Sequence, residues 1–349
     1  MAHILFIDPK APHNYHLDSI EQEALGGTEA TLIRVIKKLA EWHTITLAHS
    51  LRCNSEKYSD NIVLASIEDA KCLPHPPDHI VIIKKVDLVP ELVKRYPSAK
   101  IHFYFHTISI AKQLRRRFGH LYRFNANIIC VSNSQAVLVD KALNQGVANK
   151  LMQAIKIKEK IPVNVIYNPI NDDLAPDASA RDINKLLFVS SPSKGLDQVI
   201  SRFFRMKKQL PDLKLYIANP GYMSINDYLT EDQRNAQGVV ILDAIPHNQV
   251  IQHMRTALCV LYPQNKFFET FGIVYAEANA VGTPVIALDF GAAKEVLSDE
   301  NQILPDDDDA ILARIKDYQE AKQKPQPVRD EFRLSNVIKA WQTYLTDNI

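Results

Sequence analysis

ALCVLYPQNKFFETFGIVYAEANAVGTPVIALDF, residues 257–290, decides the fold class. Ala257 to Tyr262 is an apolar run of strand length, and PVIALDF at 284–290 is another. Between them a helical pattern begins near Phe271 and is stopped by Gly282-Thr283-Pro284. Two strands joined through one helix form a βαβ unit, and such strands run parallel.

The same alternation extends in both directions. Upstream lie LLFVSS (186–191), LKLYIAN (213–219) and VVILDAI (239–245). An earlier set comprises HILFID (3–8), TITLAHS (44–50), HIVIIKK (79–85), IHFYFH (101–106), NIICVSN (127–133) and VNVIYNP (163–169). Between the sets, NPINDDLAPDASARD (168–182) is rich in Asn, Asp, Pro and small residues and reads as a linker. The expectation is an α/β protein of two Rossmann-like, doubly wound domains, residues 1–170 and 171–325, followed by a terminal helical segment, 326–349.

Composition agrees with that size. The chain has 349 residues, 46% hydrophobic and 23% charged, which excludes the disordered and fibrous classes. The net charge of +1 argues against a nucleic-acid binder acting through bulk charge. Near-neutrality is nevertheless a cancellation: residues 1–170 hold 22 basic and 15 acidic side chains, and the rest hold 19 and 25. A basic first half and an acidic second half suggest different partners for each. MAHILFID lacks the layout of a secretory leader, no window has the apolar length of a membrane span, and the four cysteines show no CxxC spacing. These features lead to the expectation of a cytoplasmic protein.

Chemistry concentrates between residues 263 and 296. Glu269 lies in the loop before the helix and Glu277 within it, eight residues apart. Full helix would make that about 12 Å, the reach from a sugar ring across a diphosphate to a ribose. Backbone N–H groups at Phe271, Gly272 and Ile273 would face an anion between the two carboxylates, and a carboxylate can accept two hydrogen bonds from a ribose diol. Taken as a bare pair, the glutamates are better explained as a charge complementing the helix dipole and a solvated helix-face charge.

The wider context, F-E-T-F-G-I-V-Y-A-E-A-N-A-V-G-T-P-V-I-A, resembles the Glu-x7-Glu signature of the retaining glycosyltransferases of the GT-B fold, the group 1 family that includes glycogen synthases. The resemblance implies two domains facing one another across a cleft, with the last helix crossing back so that VIKAWQTYL (337–345) packs on the first domain. It implies that Glu269 binds the transferred sugar, Glu277 the ribose, and Thr270, Phe271, Gly272 and Ile273 the donor. In LLFVSSPSKGLDQVI (186–200) it makes Lys194-Gly195 a diphosphate site, with Lys194 neutralising the leaving group. The family's usual arginine a few residues earlier is replaced here by Ser190, Ser191, Pro192 and Ser193. In LGGTEATLIRVIKKLAEW (25–42) it makes Gly26 and Gly27 a loop near the donor phosphates and Thr28 an acceptor contact; helix entry explains the same glycines. His106, at a strand end, becomes a catalytic-site contact to the sugar 6-hydroxyl, against the plainer reading of a structural histidine. Asp243, Ala244 and Ile245 fall where backbone contacts the base.

Three further stretches complete the reading. Ser134, in VSNSQAV, is an acceptor or phosphate contact, or part of a serine-capped helix start. ISIAKQLRRRFGHLYRFN (108–125) interleaves Arg115, Arg116 and other basic residues with aromatics, which suits an anionic acceptor or the inner face of a membrane; a solvated helix face is the alternative. Asp306 to Asp309 are read as a helix start, and no metal or other cofactor is expected. The expected activity is hexosyl transfer, with retention, from a nucleoside diphosphate sugar, UDP favoured over GDP, to a glycan or glycolipid in cell-envelope polysaccharide or lipopolysaccharide synthesis. A sugar-nucleotide epimerase or hydrolase, or a non-catalytic nucleotide-sugar adaptor, would present the same donor pocket.

Overall fold

A computed structural model describes residues 1–108, 121, 123–124, 126–146, 150–151, 160–242, 244–321, 325 and 327–347. It separates into two compact units, one containing Met1–His16, Thr31–Asn168 and Leu334–Ile349, the other Leu17–Ala30 and Pro169–Arg333. The chain therefore changes unit close to the linker read from the sequence. Two segments depart from the expected boundaries: Leu17–Ala30 groups with the second unit, and the terminal return begins at Leu334 rather than 326.

The first unit is built on β1 (His3–Asp8), β2 (Thr44–His49), β3 (Glu56–Ser59), β4 (Ile62–Ser66), β5 (His79–Ile83), β6 (Lys100–Phe105), β7 (Asn127–Cys130) and β8 (Val163–Val165). Their spatial order is β3-β4-β2-β1-β5-β6-β7-β8. Neighbours pair in parallel except β3 with β4. Residues of both faces of β1, β2, β5 and β6 are buried, which is why these strands are nearly continuous apolar runs instead of alternating ones. The β3–β4 hairpin has no counterpart in the sequence reading. EKYS is polar and mostly exposed, as an edge strand tends to be, and carries no apolar signal.

Helix Leu334–Asp347 belongs to this first unit, as the resemblance implied for 337–345. Its apolar face buries Val337, Ile338, Trp341, Tyr344 and Leu345. Trp341, fully buried, lies edge-on to Phe6 at 5.9 Å and to Tyr104 at 5.2 Å. The Tyr344 hydroxyl lies 2.8 Å from His102 Nδ1, and His102 Nε2 lies 3.0 Å from His79 Nδ1. A buried polar chain thus fastens the helix to β5 and β6 where apolar contact alone would leave those imidazoles unsatisfied.

The second unit has β9 (Asp182–Val189), β10 (Lys214–Ala218), β11 (Val239–Leu242), β12 (Ala257–Tyr262), β13 (Val285–Leu288) and β14 (Ile303–Leu304), all parallel, in the order β11-β10-β9-β12-β13-β14. The order reverses between β9 and β12, and open sheets bind ligands beyond the carboxyl ends of strands at such a switch point. Within this unit, Ile170 N–H donates to Phe332 O at 2.8 Å, and Arg333 Nη1 donates to Leu174 O at 2.7 Å. Among the described residues no helix is long and apolar enough to cross a membrane.

Candidate functional site

An open pocket lies in the second unit at the β9–β12 switch point. Five chain segments build it. Val189, Ser190 and Ser191 lie at the end of β9, with Lys194 just beyond; Ala218, Asn219 and Pro220 lie at the end of β10; Ile245, His247 and Val250 follow β11; Glu269, Gly272, Ile273 and Glu277 follow β12; and Ala24 to Gly27 form the remaining wall with Ala30. Four of the five lie at the strand ends that a parallel sheet presents to its ligands.

The loop after β12 turns into helix Ile273–Ala280 through Gly272, whose φ of 78° is left-handed. A Cβ there would stand 2.5 Å from the Tyr275 ring, so the turn needs glycine on both conformational and steric grounds. The turn keeps Glu269 outside the helix, with Glu277 on its second turn, and both side chains are buried.

A buried carboxylate is stable only with partners. Glu269 Oε1 accepts from the Tyr262 hydroxyl at 2.7 Å and from Lys194 Nζ at 2.9 Å. Tyr262 is the last residue of β12, and its hydroxyl is also 3.2 Å from Ser190 Oγ. Burial, reinforced by the charge of Glu269, drives the Tyr262 phenol well above its ordinary value, so it remains a donor. Lys194 also rests 4.5 Å over the Phe267 ring. Glu277 Oε1 lies 2.7 Å from His247 Nε2, at the first position of helix His247–Thr256. Each carboxylate is therefore matched to a separate nitrogen base.

Of the residues singled out by sequence, Gly26, Gly27, Lys194, Ile245, Glu269, Gly272, Ile273 and Glu277 are brought together in the pocket lining. At Gly26 a Cβ would meet Glu29 Oε2 at 2.3 Å, and at Gly27 it would meet Ile273 Cγ2 at 3.3 Å, so this loop packs tightly against the site. Gly195 begins helix Leu196–Lys207 but faces Gln264 rather than the pocket. Phe271 is turned into the core, edge-on to Phe332 at 5.1 Å, and Thr270 is buried beside it. Thr28 lies inside the first turn of helix Gly27–Leu39, and Ala244 packs behind the wall at Gly221. Asp243, Arg115 and Arg116 lie outside the described residues, as does most of segment 108–125.

His106 and Ser134 belong to the first unit. His106 follows β6, is buried, and stands edge-on to Tyr104 at 4.2 Å. Burial, with the nearby Lys84 charge, pushes its imidazole down to about 3, so it is neutral at ordinary pH. Ser134 sits in the first turn of helix Asn133–Asn144, whose N-cap is Ser132, accepting from Gln135 N–H at 3.0 Å. The acidic run at 306–309 serves structure. Asp307 caps helix Asp308–Gln319, and Asp306 and Asp308 pair with Arg202, Asp308 also with Arg205.

Sequence reasoning missed Tyr262, His247 and Tyr222. Tyr222 lines the pocket; the residue is 42% exposed, but desolvation of its hydroxyl and the charges of Glu29 and Glu269 raise that group above its ordinary value. Tyr262 had one local signal, a hydroxyl ending an otherwise apolar strand. His247 had another, a basic side chain at a helix N-terminus, where the dipole disfavours it.

Comparison with known proteins converges on the same region. Residues 175–332 match the model of the glycosyl transferases group 1 family. The gpi3 subunit of phosphatidylinositol N-acetylglucosaminyltransferase from Schizosaccharomyces pombe is 29% identical over 182 residues, covering 49% of this chain and 40% of that protein. A GDP-mannose-dependent α-(1-6)-phosphatidylinositol monomannoside mannosyltransferase from Mycolicibacterium smegmatis is 32% identical over 114 residues, 31% of this chain and 30% of that one. The chain thus spans less than half the length of either curated relative. In fold it is similar to Anabaena HepE, solved in complex with UDP and glucose, with a TM-score of 0.69 at 16% identity over 99% of this chain and 100% of that one. The two parallel-sheet units thus have the GT-B fold, and the region that matches the group 1 glycosyltransferase family, residues 175–332, supplies most of the switch-point pocket.

Proposed function

We propose that the protein is a retaining, metal-independent hexosyltransferase that takes its sugar from a nucleoside diphosphate donor, UDP ahead of GDP, and passes it to a hydroxyl of a glycan or glycolipid. The observation that carries this reading is the pairing of Glu269, at the mouth of a glycine turn, with Glu277, on the second turn of the helix that follows, in one pocket. The family match over 175–332 supports it.

In this reading Glu269 accepts from hydroxyls of the transferred sugar and Glu277 from the ribose diol. Lys194 moves from Glu269 toward the diphosphate, exchanging one anion for another, while Tyr262 keeps Glu269 oriented. The helix N-terminus at Gly272 and Ile273 faces the developing charge, the kind of preorganised stabilisation that contributes most to such reactions. The leaving phosphate itself takes the acceptor proton on the face it departs from, so no protein base is needed. The family resemblance alone assigns His106 to the sugar, and the sequence pattern alone assigns Ser134, Arg115 and Arg116 to the acceptor. No cofactor takes part beyond the donor.

Both curated relatives are named for phosphatidylinositol-type lipids, and the basic charge of residues 1–170 suits an anionic headgroup at the inner face of a membrane. We therefore favour a glycolipid acceptor used in cell-envelope synthesis. A thermal-shift panel of UDP- and GDP-sugars tests the donor, because a ligand that binds only the native state raises apparent stability. One donor class should raise the melting temperature and then support transfer to a lipid acceptor, undiminished by EDTA. No shift with any nucleotide sugar would overturn the reading.

A further inference from the structure

The pairing of His247 with Glu277 has no local cause. His247 occupies the first position of helix His247–Thr256, where a basic group opposes the dipole. Glu277 is one of the more deeply buried carboxylates of the chain, on a helix thirty residues further along. Their side chains nevertheless meet at 2.7 Å, with the imidazole about one-fifth exposed and the carboxylate nearly enclosed. Both residues line the pocket.

A glutamate has three side-chain torsions, and a ribose diol needs its carboxylate in one orientation. Fixing those torsions in advance removes an ordering cost from binding. We propose that His247 is a positioning residue that holds Glu277 in the orientation that receives the ribose hydroxyls, and so sets donor affinity without touching the reacting atoms. The proposal rests on the reading of Glu277 as the ribose ligand. It does not depend on the charge of the imidazole, because Nε2 carries a proton in both the imidazolium and the Nε2–H tautomer. Lys194 plays no equivalent part for Glu277: its ammonium is bonded to Glu269 in this structure and, in the proposed reading, to the diphosphate when donor binds.

Calorimetric titration of the full chain with UDP and with 2′,3′-dideoxy-UDP, or the GDP pair if guanine is the base bound, tests this. His247→Ala should weaken UDP binding about tenfold, the worth of one charge-assisted hydrogen bond, while leaving the dideoxy compound unchanged. His247→Gln, which keeps an N–H near the Nε2 position, should recover most of the loss. His247→Asn, whose amide falls short, should not. In turnover, His247→Ala should raise the donor KM with kcat within about twofold, and in the Glu277→Ala background it should have no further effect. Equal losses for UDP and dideoxy-UDP would overturn the proposal in favour of direct contact with base or phosphate. Unchanged UDP affinity in His247→Ala, with a loss in Glu277→Ala, would overturn it while the ribose reading stands. Unchanged UDP affinity in Glu277→Ala would overturn the ribose reading and the proposal together. Circular dichroism melts of each variant separate these outcomes from misfolding.

Discussion

Glu269 is held by two donors of different kinds, a phenol that burial keeps protonated and an ammonium that, in the proposed reading, a diphosphate draws away. The division of labour predicts different consequences for each. Tyr262→Phe removes only the fixed donor and should lower kcat about tenfold to a hundredfold, the range for a hydrogen bond to a charged group. Stability should change little, because the ring still packs 5.6 Å from Phe188 and 5.7 Å from Tyr275. Steady-state kinetics with a urea melt checks both, and unaltered kcat would show the phenol to be structural. At this scale the sequence was legible where chemistry is local: Glu269, Lys194 and Gly272 announce themselves as charges or glycine beside a helix start. Tyr262 and His247 were not, because a phenol ending a strand acquires its role from a glutamate in the loop beyond and a serine 72 residues earlier, and an imidazole from a glutamate 30 residues later.

At the scale of elements, the Glu269 loop is supported from beneath by a second turn. Gly291 has a φ of 70°, and a Cβ on it would stand 2.5 Å from the Glu269 carbonyl oxygen. The neighbouring Ala292 N–H donates to that oxygen at 2.9 Å. Gly291→Ala should therefore cost at least about 2 kcal/mol, from left-handed strain and backbone displacement together. Urea denaturation measures it; a change below about 0.5 kcal/mol, the size of an ordinary surface substitution, would show the loop free to yield. Strand-loop-helix units of this kind were legible because buried parallel strands are continuous apolar runs bounded by turn residues. The β3–β4 hairpin was not, since an exposed edge strand such as Glu56–Ser59 leaves no apolar trace.

At the scale of the molecule, the first unit carries a dependence on pH. In the first unit, burial pushes His102 and His106 down to about 3 and His49 to about 4. The unfolded chain protonates these imidazoles near pH 6.5, while the folded unit resists until the depressed values are reached. Below pH 6.5 the unfolded state binds more protons, so stability falls with pH through that window and levels off near 3. Urea unfolding should show lower stability at pH 5 than at pH 7, and His102→Gln should narrow that difference even though it breaks the link to Tyr344. An unchanged difference in the variant would rule out His102 as a source. Trp341→Ala should cost about 3–5 kcal/mol by emptying the space against Phe6 and Tyr104. The two-unit plan was readable from the alternation of strands and the proline-rich linker. The grouping of Leu17–Ala30 with the second unit was not, because only three-dimensional contact reveals which unit a connecting loop joins.

The central claim is that the second unit's pocket carries out sugar transfer through Glu269. Transfer from a labelled nucleotide sugar to a lipid acceptor, measured for wild type and Glu269→Ala at matched nucleotide saturation, tests it most directly. The account predicts transfer by the wild type and a loss of at least about a hundredfold in the variant, the scale of removing a group that stabilises the transition state, with fold and nucleoside diphosphate binding retained. Full transfer by a folded Glu269→Ala protein would contradict it.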